Sequence, residues 1–344
     1  MNNTFVENAW YVIAWSEDLP AMSSVSRTVL GQSIVAFRSE DGLASAVADR
    51  CPHRGVPLSM GQVAANHIRC PYHALEFNGA GVCVRNPHIK ADPGRLTVRS
   101  YPVVERHGAV WVWTGSPASA DPALVPDYGW FGPDVPGYRT IRGDLRVEAD
   151  FRLVIDNLLD LSHAEYLHAN TVGTVGASGS AETSVDVGDQ RVTVLRKIFD
   201  LAPSAVFKSA WHKSERIDQQ SNMTWRAPSH LLLDLGIMPA GGALSEGLHF
   251  PSAHLLTPET DRTTHYFYAI SRSFLLEDDA FDDKVRGSIL QAFGNEDRPI
   301  VEAIQRNAVD TADGFKFSDF TTGYAAASRV RRMLEKLSAQ PADT

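Results

Sequence analysis

Two short segments hold residues whose types and order suit a metal: Cys51-Pro52-His53 and, after sixteen intervening residues, Cys70-Pro71-Tyr72-His73. A thiolate is a soft ligand and an imidazole a borderline one, and each segment offers one of each. Two loops that face each other would bring all four to one place. Structural zinc would take the set as a Cys2His2 site, although its commonest spacing puts both cysteines on one turn and both histidines on the other. The mixed order suits a [2Fe–2S] cluster, with Cys51 and Cys70 on one iron and His53 and His73 on the second. Imidazole in place of thiolate leaves such a cluster less negative and raises its reduction potential. Cys83 has no histidine at ligand spacing and reads as a packed thiol. His67 and His107 read as surface or edge-strand residues, and His88, in a turn, carries no assigned role.

A second set lies in Asp156-Asn157-Leu158-Leu159-Asp160-Leu161-Ser162-His163-Ala164-Glu165-Tyr166-Leu167-His168. At roughly 100° per residue, Asn157, Asp160, His163 and His168 fall within about 140° on one side of a helix. The gap between His163 and His168 would splay two imidazoles on a regular helix, and a π-type bulge or a loosened turn would bring them to one point. Two imidazoles and one carboxylate on one face of a metal leave sites open, the arrangement of non-heme Fe(II) oxygenases. The bland alternative is a solvated helix face with two incidental histidines. Spacing does not identify the carboxylate, because Asp279, Asp282, Asp283, Glu296, Asp297 and Glu302 all lie in later helical segments.

The elements that must position these residues are legible in outline. Runs at 33–37 and 43–47 flank Glu40-Asp41-Gly42, and runs at 67–77 and 82–84 flank Asn78-Gly79-Ala80-Gly81, both hairpin signals. With a further strand at 109–113, the first 115 residues read as a small all-β unit. Prolines at 117, 122, 126, 133 and 136 place a linker there, so the expected domains are 1–116 and 117–344. Residues 150–168 carry the 3.6-residue apolar repeat of an amphipathic helix. Strands follow at 184–199, 222–237, 249–256 and 263–274, then helices at 279–293, at 299–306 with Pro299 in a first turn, and at 324–337. The second half is therefore α+β, and residues 339–344 are expected to fray.

Composition narrows the function classes. The 344 residues carry a net charge of 32 − 41 = −9, with no basic block, which argues against a nucleic-acid partner. Three cysteines make no disulfide framework and suit a reducing compartment. The opening Met1-Asn2-Asn3-Thr4-Phe5-Val6-Glu7-Asn8 lacks a basic and then apolar leader, and no stretch approaches ~18 apolar residues. A cytoplasmic protein without a membrane span is expected.

Cys51-Pro52-His53-Arg54-Gly55 and Cys70-Pro71-Tyr72-His73 resemble the two cluster loops of the Rieske non-heme iron oxygenases, and the likeness covers nearly the whole chain. It implies an N-terminal all-β Rieske domain followed by a helix-grip, START-like catalytic domain with a large antiparallel sheet. It implies a [2Fe–2S] Rieske cluster on Cys51, His53, Cys70 and His73, and a mononuclear Fe(II) on His163 and His168. Asn295-Glu296-Asp297-Arg298-Pro299-Ile300-Val301-Glu302 is similar to the family's C-terminal helix segment, which makes Asp297 the third iron ligand. A helix N-terminus at this point would equally favour Asp297 as a simple cap. Asp160, with Asn157 beside it, matches the family's bridging carboxylate. There it would accept hydrogen bonds from His163 and from His73 of a neighbouring chain, which implies a head-to-tail homotrimer. One departure is Ala74, where the family usually has Gly after the second histidine. Alanine tolerates positive φ poorly, so a slightly reshaped loop is expected.

Through Asn8-Ala9-Trp10-Tyr11-Val12, the Asp156-to-His163 run and Leu255-Leu256-Thr257-Pro258-Glu259-Thr260, the chain is most similar to the O-demethylating group that includes the vanillate and dicamba O-demethylases. The likeness implies an oxygenase component fed with NAD(P)H electrons by a flavin and [2Fe–2S] reductase. With O2 it would convert a methoxylated aromatic acid to a phenol and formaldehyde. Hydroxylation of a methyl or ring carbon is the alternative. Substrate contacts are expected at His254, His230, Leu233 and Ile289. Leu233 and Ile289 stand where the dicamba enzyme has an Asn and a Trp against its substrate, which argues against dicamba itself. The residues alone leave two other classes open, a non-catalytic Rieske electron carrier and a zinc-binding module. The chain length and the His163, His168 and Asp297 set argue against the carrier.

Overall fold

Short β-branched and aromatic runs, cut by glycine turns, dictate the first half of the chain. The computed structural model describes residues 5–89, 95–132, 135–309 and 321–339. These divide into two units, the first running to Asp127 and taking in Thr257–Thr260, the second covering Tyr128–Leu256 and Asp261–Ala339. Positions 340–344, expected to fray, lie outside the described residues. Among the described residues, no helix is long and apolar enough to cross a membrane.

The first unit holds three small antiparallel sheets. Their strands are β1 (Trp10–Trp15), β2 (Ser23–Val29), β3 (Gln32–Arg38), β4 (Ala44–Ala48), β5 (Gln62–Ala64), β6 (His67–Arg69), β7 (Glu76–Asn78), β8 (Cys83–Arg85), β9 (Ser100–Tyr101), β10 (Val103–Arg106) and β11 (Ala109–Trp113). They pair in the orders β1-β11-β10, β2-β3-β4-β9 and β5-β6-β7-β8. The run 67–77 is not one strand: β6 and β7 are separated by the loop Cys70 to His73, which the pairing of Arg69 with Glu76 closes at its base. Val35, Phe37, Leu58, Ile68, Leu75 and Phe77 form a core that also buries all three cysteines. Cys83 is a packed thiol there, as expected, and burial raises its pKa.

One buried carboxylate ties this small sheet together. Oε1 of Glu76 accepts hydrogen bonds from Nε of Arg69 and from the guanidinium of Arg85, each at 2.8 Å, so three strands share one charge. Burial pushes the Glu76 carboxyl up, and the two arginines outweigh it and hold it below its ordinary value.

The second unit is built on one large antiparallel sheet. Its strands are β12 (Arg139–Val147), β13 (Ala181–Gly188), β14 (Arg191–Leu201), β15 (Ile217–Arg226), β16 (His230–Pro239), β17 (Leu248–His249), β18 (Ser252–Thr260) and β19 (Thr263–Arg272). The order is β12-β19-β18-β16-β15-β14-β13, with β17 paired to β16. Its apolar core includes Ile141, Phe207, Trp211, Ile237, Phe250 and Ile270. Helices α1 (Phe151–Leu159), α2 (Ala164–Leu167), α3 (Ala205–Lys208), α4 (Asp279–Ile289), α5 (Arg298–Val309) and α6 (Thr322–Ser338) complete the unit. Helix α1 packs on α5, α6 and β15.

Two helical expectations are corrected. The run 150–168 is not one helix: α1 ends at Asp160, where φ −100° and ψ 80° leave the helical region, and a 3-10 turn (Leu161–His163) leads into α2. The cause is the Asp160 side chain, which accepts from the Ser162 amide at 3.1 Å and offers the backbone an alternative to the helical ladder. Conversely, the helices expected at 279–293 and 299–306 are continuous, joined by a π-helical stretch (Leu290–Asp297). Proline lacks an N–H and clashes with the carbonyl four residues back, and a wider turn just before Pro299 relieves that conflict. Asp297 therefore sits inside a helix and caps none.

Glu76→Gln is expected to lower the stability of the first unit by about 1–2 kcal/mol at neutral pH, a modest cost because Arg69 and Arg85 remain partly solvated. The folded-state pKa of Glu76 is depressed, so its contribution is present above the ordinary carboxyl value of 4.5 and is lost as pH falls through the lower folded value. Denaturant unfolding of both proteins at pH 7 and pH 4 checks this. An equal gap at both values would show that the ionised pair contributes nothing.

Candidate metal centres

The two cysteine-histidine loops are built alike. The Cys51 amide donates to the Val56 carbonyl at 2.9 Å and the Gly55 amide to the Cys51 carbonyl at 2.8 Å. In the second loop the Cys70 amide donates to Leu75 at 2.8 Å and the Ala74 amide to Cys70 at 3.1 Å. Gly55 and Ala74 occupy the same place, with φ of +74° and +55°. The expected reshaping at Ala74 does not occur, because alanine takes the left-handed conformation that the hydrogen bonds demand.

These loops bury both thiols and leave both imidazoles accessible. Nδ1 of His53 and Nδ1 of His73 face each other at 3.2 Å. Burial raises the Cys51 pKa, and its interaction with the Cys70 thiol adds to that. Desolvation, then the charges on His53, His88 and Arg54, hold His73 below its ordinary pKa, in the neutral form a metal ligand requires. Two sulfurs and two convergent imidazole nitrogens fit a cluster bound by both kinds of ligand. His88, unassigned from sequence, places Nε2 3.0 Å from the His73 carbonyl. His67 lies 3.7 Å from Glu76, and His107 3.6 Å from Asp127.

The second set converges more tightly. Ligand atoms of His163, His168 and Asp297 all lie within 4.8 Å of one another. Oδ1 of Asp297 is 3.1 Å from Nε2 of His168 and 3.4 Å from Nε2 of His163, yet it is buried and accepts no hydrogen bond of acceptable geometry among the described residues. Three electron-pair donors aimed at one point, one of them an orphaned carboxylate oxygen, fit a metal ion.

Each imidazole is turned to this point by a bond at its other nitrogen. Nδ1 of His163 lies 2.5 Å from the Asp160 carbonyl, and Nδ1 of His168 lies 2.6 Å from Oε2 of Glu296. Both acceptors require Nδ1 to carry the proton, which leaves Nε2 bare for the metal. Thr171 donates to the same Glu296 oxygen at 2.9 Å. Sequence reasoning missed this role of Glu296. The signal was the adjacent acidic pair Glu296-Asp297, of which one faces the metal and the other an imidazole.

The Asp160 carboxylate is not bonded to His163 within the chain, contrary to expectation; the backbone carbonyl takes that bond. Its oxygens accept from the Ser162 hydroxyl at 2.6 Å and the Thr321 hydroxyl at 2.8 Å. Gly323 packs directly on it, since a Cβ there would lie 2.5 Å from the Asp160 Cα.

A cavity opens beside the three donors and is also lined by Asn157, Leu233, His254 and Ile289. Its walls are mostly apolar, including Leu161, Met223, Phe207 and Phe293. Both nitrogens of His254 are already engaged, Nδ1 with the Tyr266 hydroxyl at 2.6 Å and Nε2 with that of Ser252 at 2.9 Å. Burial pushes His254 down to about 3, so it is neutral. His230 does not line the cavity. Alternation along β16 turns Leu233 and Leu235 inward and His230 to the other face.

Comparison with known proteins follows this geometry. Residues 9–102 match the family described as Rieske [2Fe-2S] domain, and residues 147–340 that described as Vanillate O-demethylase oxygenase C-terminal domain. The chain is 40% identical over 337 residues to the oxygenase component of dicamba O-demethylase from Stenotrophomonas maltophilia, covering 97% of this chain and 98% of the relative. It is 34% identical over 311 residues to the iron-sulfur subunit of the toluene-4-sulfonate monooxygenase system of Comamonas testosteroni, covering 88% of each. The crystal structure of dicamba monooxygenase bound to dicamba matches with a TM-score of 0.90 at 40% identity, covering 97% of this chain and 98% of that one.

Ala74→Gly is expected to stabilise the protein by about 0.5–1 kcal/mol, because relief of the left-handed alanine exceeds the added freedom of the unfolded glycine. The readout is a higher thermal midpoint with an unchanged visible spectrum. Glu296→Gln is expected to weaken metal binding at His163, His168 and Asp297 by about 10–100-fold, as loss of a carboxylate behind a metal-bound imidazole does. Chelator competition measures it, and unaltered affinity would remove Glu296 from the site.

Proposed function

Because the chain belongs to the vanillate O-demethylase family of Rieske oxygenase components, we propose that it oxidatively removes the methyl group of a methoxylated aromatic acid. The family and the fold class expected from the sequence are borne out: an N-terminal all-β Rieske domain precedes a domain with a large antiparallel sheet. The protein is the oxygenase component of a Rieske non-heme iron monooxygenase, with a [2Fe–2S] cluster and a mononuclear iron as cofactors. NAD(P)H electrons reach it through a reductase. The observation that carries the O-demethylase reading is the convergence of His163, His168 and Asp297 on the wall of an apolar cavity, in a chain so similar to an O-demethylase.

In this reading Cys51, Cys70, His53 and His73 hold the cluster, and His163, His168 and Asp297 hold the iron. Held there, the metals would supply O2 activation: with two electrons delivered one at a time and two protons, one oxygen atom would enter a methoxy C–H and the other leave as water, and the resulting hemiacetal would collapse to a phenol and formaldehyde. The chain's own task is to orient and to exclude water. Glu296 and the Asp160 carbonyl keep the protons of His168 and His163 on Nδ1. Leu233, Ile289, Phe207 and Phe293 present apolar surface to an aromatic ring. Asn157 reaches the cavity beside the donors and is assigned to positioning there. The Asp160 carboxylate, fixed by Ser162 and Thr321, is the relay that receives His73 of a neighbouring copy in a head-to-tail homotrimer.

The finer assignments belong to the same proposal: an electron-storing domain of 1–116, a catalytic domain of 117–344, a flavin and [2Fe–2S] reductase as partner, and a cytoplasmic setting. The second reading, hydroxylation of a methyl or ring carbon, is favoured by the similarity to a toluene-4-sulfonate monooxygenase subunit.

Purified protein supplied with NADH and a compatible reductase is expected to release formaldehyde from at least one methoxybenzoate, one equivalent per O2 consumed. Hydroxylated product without formaldehyde would favour the second reading. His163→Ala is expected to abolish turnover while keeping the red-brown cluster spectrum; bleaching in that variant would mean that the two metal sites have been exchanged.

A further inference from the structure

The apolar cavity contains one cation that the functions above do not use. Arg196, in β14, lines the cavity and is only 6% exposed. Its Nε is buried without a hydrogen-bond partner, and among the described residues its side chain makes no hydrogen bond or ion pair. A buried guanidinium remains charged at neutral pH, and leaving it unpaired is costly. Among the described residues, the negative charges of Asp160 and Glu165 act on it through space. Both are already bonded elsewhere, Asp160 to Ser162 and Thr321, Glu165 to the Gly176 and Ser178 amides.

The neighbours of Arg196 are arranged as donors. Its cross-strand partner is Ser221 of β15, on the same face and also lining the cavity. Thr174 donates to Gln219 at 3.0 Å, and Gln219 donates to the Ser221 oxygen at 2.9 Å. That chain satisfies the Ser221 oxygen as acceptor and leaves its hydroxyl proton free to donate, since none of the described residues accepts it. A guanidinium and a hydroxyl side by side, both buried and both with donors to spare, make a cradle for an oxyanion.

We propose that Arg196, with Ser221 beside it, is the counter-ion for an anionic substituent of the aromatic substrate, a carboxylate or a sulfonate, and so sets which end of the substrate faces His163, His168 and Asp297. The inference rests on the aromatic-substrate reading above and deepens it. It makes Arg196 a specificity-determining residue: the enzyme accepts aromatic anions and rejects their neutral isosteres. Among the described residues the cation has no partner, and the substrate anion would supply one.

Calorimetric titration of the anaerobic, iron-loaded protein tests it with four probes: 4-methoxybenzoate, 4-methylbenzenesulfonate and their neutral amides. The wild type is expected to bind at least one anion about tenfold or more tighter than its amide, the carboxylate and sulfonate arms showing which oxyanion fits. Arg196→Met should weaken anion binding by about 30-fold and leave amide binding within twofold, with Arg196→Lys restoring part of the loss. The ligand-free Met variant should also melt at a higher temperature than the wild type, since it removes an unpaired buried charge, and an unchanged cluster spectrum shows that it folds. Equal affinity of the wild type for anion and amide, parallel loss of both in the variant, a lowered melting temperature, or no binding of any probe would overturn the proposal. Formaldehyde is scored separately. Binding of 4-methoxybenzoate through Arg196 without formaldehyde removes the demethylase reading alone, and formaldehyde from 4-methoxybenzamide at the rate of the acid removes the Arg196 role alone.

Discussion

Each imidazole beside Asp297 is aimed by a bond at its second nitrogen, and this constraint shapes the second unit. At His163 the holder is the Asp160 carbonyl. In an unbroken helix that carbonyl would accept from the amide of residue 164; here the 3-10 turn sends the Ala164 amide to the Leu161 carbonyl and leaves Asp160 to the imidazole. At His168 the holder is Glu296, presented by the π-helical stretch that also carries Asp297. The irregularities in the two facing helical segments thus serve one requirement, three unprotonated donor atoms at a single point.

What the sequence made legible is what depends on neighbours in the chain. The cluster loops are closed by hydrogen bonds spanning a few residues, so the pattern Cys-Pro-x-His announces them, and the two hairpins follow from alternation and glycine turns. The pairing of Glu296 with His168 spans 128 residues, which spacing cannot express, while the helix break at Asp160 and the passage of a helix through Pro299 rest on a side-chain turn and a π-turn that the apolar repeat does not show. Alternation could have excluded His230, because a residue one position away from the inward-facing Leu231, Leu233 and Leu235 set turns to the opposite side of β16. The same rule could have found Arg196, a lone charge in register with Val192, Val194 and Ile198 on one strand face.

The cavity joins a few fixed charges to a mostly apolar wall, a division of labour common to small-molecule sites. Its aromatic side is rigidified by the Ser252, His254 and Tyr266 chain and by Phe293 stacked 5.6 Å from Tyr266. With both ring nitrogens engaged, His254 shapes that wall and offers no spare proton to a ligand. The polar contacts left for a ligand are correspondingly few, which sharpens discrimination: each unmatched polar group in such a site is penalised once water is gone.

The contact between Gly323 and Asp160 has a practical reach. Gly323, at the start of α6, touches the backbone of Asp160 with no room for a methyl group, and the neighbouring Thr321 hydroxyl holds the Asp160 carboxylate. Trimming the C-terminus back past these positions, or building a fusion junction into them, would therefore disturb Asp160 and the turn before His163 as well as a peripheral helix. A protein engineer shortening this chain should treat the segment from Thr321 onward as part of the scaffold that holds Asp160.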